Sequence, residues 1–381
     1  MKNLLIEASP IEQNNPTGVN YFTEWLARGL EQKQDSTFEV GYFYLNFLGR
    51  KPLRNELSKT AFLGNRFHQI RYIPQRIYAK LVYYNVAPPL LLPKSDWVLF
   101  PNFYIWPLMR RSKRAVIIHD VGYLRFPEYV ERKNLKFLRR VASRSIKKAD
   151  LIVSNSQFTT SEIISTTGVS PKKIVTISIP VDTEPFEKQY DKGRTRLKKR
   201  YKITKPYILS LGTLEPRKNL ETTVLAYCDL PKKIRNTYSL VLAGKWGWDI
   251  DTLRDLIQKK QSEGFDIITP GHIDYDDKTT FFRNASFFVI TSYYEGFGMP
   301  LLEALHCGIP SVAVDIPVFR EVGGDACLWA ARDAKAVASQ LLSLITDPAL
   351  AKKLSRAGRQ RSSKFSWEKV SETIKQRLLD D

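Results

Sequence analysis

Cysteine is scarce in this sequence, and the three present, Cys228, Cys307 and Cys327, are widely spaced. They form neither a metal-ligand pattern nor a disulfide framework, and an odd count in apolar surroundings fits reduced, buried thiols in a cytosolic protein. There is no HExxH, no Walker loop, no GxSxG and no Cys/His cluster, which excludes the commonest zinc, P-loop and serine-hydrolase chemistries. Long apolar runs are missing as well. "VAPPLLLP" is far too short to span a bilayer, and Met1 leads into "KNLLIEASP", which reads as a first strand rather than a signal peptide. Neither a short-period repeat nor a low-complexity tract is present. Acidic charge is in deficit, with 39 Asp and Glu against 59 Lys and Arg, a net +20.

The basic excess is local. Residues 51–148 hold 21 Lys and Arg against 5 Asp and Glu, a net +16. Such a concentration predicts an anionic partner: a membrane, a nucleic acid or a polyanionic substrate. It is clearest in "ERKNLKFLRRVASRSIKK", where Leu135, Leu138, Val141 or Ala142, and Ile146 recur at helical spacing among eight basic residues. A packed helix with a solvated charged face fits this pattern. So does a basic amphipathic helix on anionic lipid, with Arg139, Arg140 and Arg144 at the membrane or acceptor surface.

At 381 residues the chain exceeds one ordinary core, so two domains are expected. In the first half "NLLIEA", "FEVGYFY", "DWVLFP", "RAVIIHD", "DLIVSNS" and "KIVTISIP" read as buried strands alternating with helical patterns such as "GVNYFTEWLARGLEQ". A second series follows: "YILSLGTL", "SLVLAGK", "DIITPGHI", "SFFVITSYY" and "PSVAVDI". The alternation predicts an α/β class with parallel sheets covered by helices on both faces. The expected boundaries are a first domain over 1–185, a charged linker over 186–205 with room for one short helix, a second domain over 206–365, and a C-terminal helix over 366–381 that reaches back to the first domain. A cleft between two such domains is the natural ligand site.

Two stretches of the second domain carry the chemistry. In "LSLGTLEPRKNLETTVLAY" a strand ends at Gly212 and a helix begins near Asn219. Arg217 and Lys218 then lie at the carboxyl end of a strand, where two cations and backbone amides suit a diphosphate. In "YYEGFGMPLLEALHCGIP" Glu295 precedes a Gly296-Phe297-Gly298 turn, Pro300 suits a first helical turn, and Gly308 with Pro310 marks the helix end. Glu303 stands among Leu301, Leu302, Ala304 and Leu305, where it is either a ligand for something or a solvated or capping residue. In the first domain His119 and Asp120 follow a buried strand, and Gly18 opens a helix after the first strand's loop. A structural or surface role is the alternative for each. Two Asp-x-Asp matches, Asp274 with Asp276 and Asp249 with Asp251, precede helical patterns and read as caps rather than metal ligands.

Together these stretches resemble the family 4 glycosyltransferases, retaining enzymes of the GT-B fold. "EGFGMPLLE" is similar to that family's E-x7-E signature and "GTLEPRKN" to its phosphate-clamp loop; "SNSQFTTSEI", "ISIPVD" and "FREVGGDACLW" are further similar stretches. The resemblance implies two Rossmann-like domains with parallel sheets facing a central cleft, and a nucleotide sugar as donor substrate. It implies that Glu303 holds the ribose hydroxyls and Glu295 faces the donor sugar. Lys218 and Arg217 would bind the diphosphate and stabilise it as it leaves, and His119 would contact the transferred sugar. Gly18, Gly212 and Thr213 would line the donor, and Gly296, Phe297 and Gly298 would offer backbone amides. Thr213 is a departure, since the family often carries Arg there. The "P-R-K-N" form points toward GDP-mannose. Front-face attack with retention, no metal and no cofactor are expected, with a saccharide or lipid-linked acceptor met at the inner face of the plasma membrane by a cytoplasmic, peripheral enzyme. The alternatives are another chemistry on the same fold, an epimerase or a phosphorylase, which the clamp and glutamate pair fit less well. A basic nucleic-acid-binding protein is a third, for which no recognition motif is present.

Overall fold

A computed structural model of the chain describes residues 1–12, 18–49, 67–87, 92–107, 112–183, 186 and 193–380. The strands of the first sheet are β1 (Lys2–Glu7), β2 (Phe38–Leu45), β3 (Phe67–Ile70), β4 (Trp97–Phe100), β5 (Lys113–Ile118), β6 (Leu151–Ser154) and β7 (Ile174–Thr176). Those of the second are β8 (Tyr207–Leu211), β9 (Ser239–Ala243), β10 (Ile267–Gly271), β11 (Phe287–Ile290), β12 (Ser311–Val314) and β13 (Cys327–Ala330). All the strand pairs are parallel. Helices cover both faces of such sheets, so central strands such as "AVII" and "LIVS" are buried end to end instead of alternating.

The first sheet runs β3-β2-β1-β4-β5-β6-β7 and the second β10-β9-β8-β11-β12-β13. Each therefore winds outward from its first strand and then reverses. The reversal lies between β1 and β4 in one unit and between β8 and β11 in the other. In open α/β sheets the crevice at the carboxyl ends of the strands flanking that reversal is where ligands bind.

The chain forms two compact units, residues 1–179 with 366–381, and residues 180–365. The C-terminal helix Trp367–Asp380 belongs to the first. Trp97 Nε1 donates to Leu378 O at 3.2 Å, and Lys375 Nζ to Asp35 Oδ2 at 2.5 Å. A Cβ added at Gly29 would lie 2.3 Å from Ser371 Oγ, so this glycine permits the close approach of the terminal helix to the helix Gly18–Glu31.

The charged stretch read as a linker with room for one short helix carries a helix over Gly193–Tyr201, anchored in the second unit. Arg200 Nη1 and the Tyr201 hydroxyl donate to fully buried Asp277 at 2.7 and 2.5 Å, and Arg196 pairs with the same carboxylate. The aspartates expected as caps need a correction, since none of the described ones makes a capping bond. Asp274 stands at the N-cap position of the helix Tyr275–Asn284 without a capping bond, and accepts instead from Arg200 Nη2 at 2.9 Å. Asp251 lies in the first turn of the helix Asp251–Ser262, behind Ile250 as N-cap, while Asp249 has a φ of +50°. The side chain of Asp276 falls outside the described residues.

Candidate active site

The clamp loop leaves β8 at Gly212, whose φ is +150°. A Cβ there would lie 3.3 Å from Lys218 Cε, so the glycine leaves the lane in which the lysine lies. Pro216–Lys218 forms one 3-10 turn and Asn219, at a φ of +50°, redirects the chain into the helix Leu220–Asp229. Two contacts tie this loop to the one after β11. Tyr293 N donates to Arg217 O at 2.8 Å, and Thr291 Oγ1 donates to Asn219 O at 2.8 Å. The two loops thus meet at the strand reversal, with Gly212, Thr213 and Lys218 facing Thr291 and Ser292 across a small pocket.

Glu295 joins them electrostatically. Its Oε1 accepts from Lys218 Nζ at 2.5 Å and from Ser292 Oγ at 2.9 Å; its Oε2 accepts from Arg217 Nη1 at 2.7 Å. Burial pushes this carboxyl up, but the two cations beside it overcome that and hold it at about 2. Arg217 is held from the other side too, donating from Nε and Nη2 to Glu215 Oε1 at 3.0 and 2.6 Å. Glu215 is buried and belongs to the quoted loop, yet its neighbours alone do not reveal the pairing. Arg217 is thereby fixed between two carboxylates, while Lys218 meets one.

The turn after Glu295 is built by close packing. A Cβ at Gly298, which has a φ of +97°, would lie 2.8 Å from the Phe319 ring, and Phe297 is buried edge-on against Phe365. Gly296 is buried in the same turn. The helix Met299–Cys307 follows, with Pro300 in its first turn and Gly308 as left-handed C-cap. Glu303, in its middle, is 4% exposed. Its Oε1 takes the ammonium of Lys278 from the helix Tyr275–Asn284, and its Oε2 is buried with no hydrogen-bond partner. Burial pushes the Glu303 carboxyl up while Lys278 opposes the shift. Lys278 was not singled out in the sequence; it stands just before Thr279 to Phe282, all of which the structure buries.

In the first unit, His119 follows β5. Its Nε2 lies 2.9 Å from Pro101 O, and a carbonyl only accepts, so Nε2 carries the proton. Burial lowers the imidazole to about 4, against the Pro101 hydrogen bond. At neutral pH the ring is uncharged, held edge-on by Phe22 and tilted against Phe103, with Nδ1 as its acceptor. Asp120 receives Gly122 N at 2.9 Å and so serves the local turn. A Cβ at Gly18 would meet open space. Glu7, at the carboxyl end of β1, was missed in the sequence; burial raises its carboxyl to about 7, against hydrogen bonds from Ser9.

In the basic helix Arg132–Lys148, Arg139 and Arg140 are exposed and Arg144 is half-buried. Arg144 is spent internally, donating to Val82 O at 2.5 Å and Tyr83 O at 3.3 Å at the end of the helix Gln75–Tyr84. The Arg140 guanidinium lies 4.6 Å from the Tyr83 ring centroid, and Arg139 reaches Tyr123 O at 3.5 Å. Among the described residues, no helix is long and apolar enough to cross a membrane, and no group of His, Cys, Asp and Glu is placed to hold a metal ion.

A doubly wound sheet with two cations and a buried carboxylate at its reversal defines an α/β protein with a candidate ligand site at the strand ends. Residues 192–361 match the family described as Glycosyl transferases group 1, and residues 17–185 match Glycosyltransferase Family 4. The chain is 33% identical to O-antigen chain mannosyltransferase B of Escherichia coli, over 89% of this chain and 83% of that protein. It is 29% identical to serotype-specific mannosyltransferase WbdA of the same organism, over 74% of this chain and only 36% of WbdA. HepE of Anabaena, solved in complex with UDP and glucose, superposes with a TM-score of 0.75 at 16% identity, covering 100% of both chains. Sucrose-phosphate synthase from Thermosynechococcus elongatus superposes at 0.72 with 18% identity, covering 99% of this chain and 98% of that one. The chain belongs to the family 4 glycosyltransferases, and its two Rossmann-like units are those of the GT-B fold.

Proposed function

We propose that this glycosyltransferase moves mannose from GDP-mannose to a saccharide or lipid-linked saccharide acceptor, with retention of configuration and without a metal ion, in the synthesis of a cell-surface polysaccharide such as O-antigen. The observation that carries the reading is the meeting of Arg217, Lys218 and Glu295 at the reversal of the second sheet, with buried Glu303 in the helix that follows the turn after Glu295. The mannosyl preference rests on the mannosyltransferases to which the chain is similar.

The difficult event is departure of a nucleoside diphosphate from an anomeric carbon. Lys218 and Arg217, already oriented, would neutralise the oxygen on which charge grows. Glu295 is a poor candidate for a covalent nucleophile, because both its oxygens are tied to cations and its carboxyl is held at about 2. That supports attack from the face the diphosphate leaves, with a departing phosphate oxygen accepting the acceptor's proton. His119, neutral and presenting Nδ1, is suited to accept from a sugar hydroxyl. Incubation of the protein with GDP-mannose and acceptor in excess EDTA is expected to give an α-mannosidic product by NMR. A strict requirement for manganese or magnesium, or a β-product, would overturn the metal-free, retaining reading.

An anionic membrane surface is the proposed place of action. Beside the basic helix, the helix Gln75–Tyr84 and its flank expose Ile77, Tyr84 and Val86 by 53, 64 and 51%. Apolar tips among cations are what an interfacial surface needs, and each engaged Lys or Arg adds about 1 kcal/mol on anionic lipid. Because Arg144 and Arg140 hold this region together, exposed Lys133 and Lys136 are the residues to reverse. Lys133→Glu with Lys136→Glu is expected to weaken sedimentation with phosphatidylglycerol vesicles at low salt while leaving nucleotide binding unchanged. Equal indifference of the wild type to anionic and neutral vesicles would point to a soluble acceptor.

A further inference from the structure

Lys278 and Glu303 are 25 residues apart and come from neighbouring helices, yet their side chains form an ion pair. The pair is lopsided. Glu303 is 4% exposed while the Lys278 side chain is 24% exposed, so the lysine reaches in from the surface to a carboxylate in an apolar helix. Only one carboxylate oxygen is engaged, and the other is buried with no partner. An unpartnered buried carboxylate oxygen is costly to keep, and its retention marks a place where a donor group is to arrive.

We propose that Lys278 is a positioning residue for the nucleotide: by holding Oε1 it keeps Glu303 a carboxylate and leaves Oε2 as the acceptor for the vicinal ribose hydroxyls. This rests on the reading of Glu303 as the ribose ligand. The other charged groups around the carboxylate do not supply what Lys278 supplies. Asp182 raises the Glu303 carboxyl further, and Cys307, one turn along the same helix, has its own thiol pushed up to about 12 by burial and by Glu303. From the helix Pro348–Ser362, Arg359 donates to Cys307 O at the helix end, and from the helix Pro317–Gly323, Arg320 is bound by Asp315. Arg283 acts on Cys307. Among these groups Lys278 is the one cation acting on Glu303 itself.

The ribose-accepting form is the carboxylate, and burial raises its pKa. Without Lys278 none of these groups opposes the upward push of burial, so the carboxylate form is favoured less and affinity recovers as pH rises. The test uses GDP and UDP, taking whichever binds the wild type more tightly in calorimetry over a range of about pH 6 to 9. Lys278→Met is expected to lose about tenfold in affinity at neutral pH, with its affinity profile displaced toward higher pH. Titration of the nucleotide itself is common to both proteins and cancels. Lys278→Arg is expected to restore both affinity and profile, which a merely structural lysine would not require. If Glu303→Gln weakens binding but Lys278→Met binds like the wild type at every pH, or more tightly, the role of Lys278 is overturned and the ribose reading stands. If Glu303→Gln binds like the wild type, or neither diphosphate binds the wild type at all, the ribose reading fails and the inference with it.

Discussion

Lys218→Ala is expected to lower kcat by about a hundredfold or more, with a smaller loss of nucleotide-sugar affinity. The diphosphate carries most of its charge in ground and transition states alike, but one oxygen gains charge as the glycosidic bond breaks. A cation placed at that oxygen therefore acts more on the barrier than on binding. Lys218 is the better placed of the two, because Arg217 is clamped by Glu215 and Glu295 whereas Lys218 meets Glu295 alone. Its removal also leaves Glu295 with one cation fewer, adding a repulsive carboxylate beside the leaving group. Steady-state kinetics with saturating acceptor decide the matter. A variant with normal turnover and only a raised KM would assign Lys218 to ground-state binding.

Glu303→Ala is expected to weaken binding of the nucleotide sugar by about 1–3 kcal/mol, because the ribose hydroxyls lose their acceptor in a site that excludes water. The variant also strands Lys278, so the comparison with Glu303→Gln matters: glutamine keeps the volume and an acceptor oxygen while removing the charge. Calorimetry on variants with intact circular dichroism gives the affinities. A 2′-deoxy nucleotide should lose affinity in the wild type and little more in Glu303→Ala. Unchanged affinity in a folded alanine variant would remove Glu303 from the site.

The site was legible in the sequence where its chemistry is local. The loop "GTLEPRKN" and the run "EGFGMPLLE" announce themselves because glycines must stand at the tight turns and because a glutamate inside an apolar helix is out of place. The partners of these residues were not legible. Glu215 sits two residues from Arg217, but nothing local says that its carboxylate turns toward the guanidinium. Arg144 reads as a surface cation from helical spacing, and becomes a cap for a neighbouring helix only when that helix is packed beside it.

By itself the sequence determined the class of the fold and most of its strands. Continuous β-rich runs alternating with amphipathic segments leave a parallel, doubly covered sheet as the economical way to bury them. Tertiary structure decided the edges and the reversals. β3 ("FHQI") and β13 ("CLWA") are only four residues long, only partly buried and flanked on one side alone, so only pairing with β2 and β12 identifies them. Strand order cannot be read from strand identity, yet it places β8 beside β11 and so brings Lys218 to Glu295, 77 residues away. The same holds for Lys278 and Glu303, and for Asp277, whose buried charge is met by Arg196 and Arg200 from the helix Gly193–Tyr201. Charges pair through space at distances of a few ångströms, and that separation is set by how helices and strands pack, not by their place along the chain.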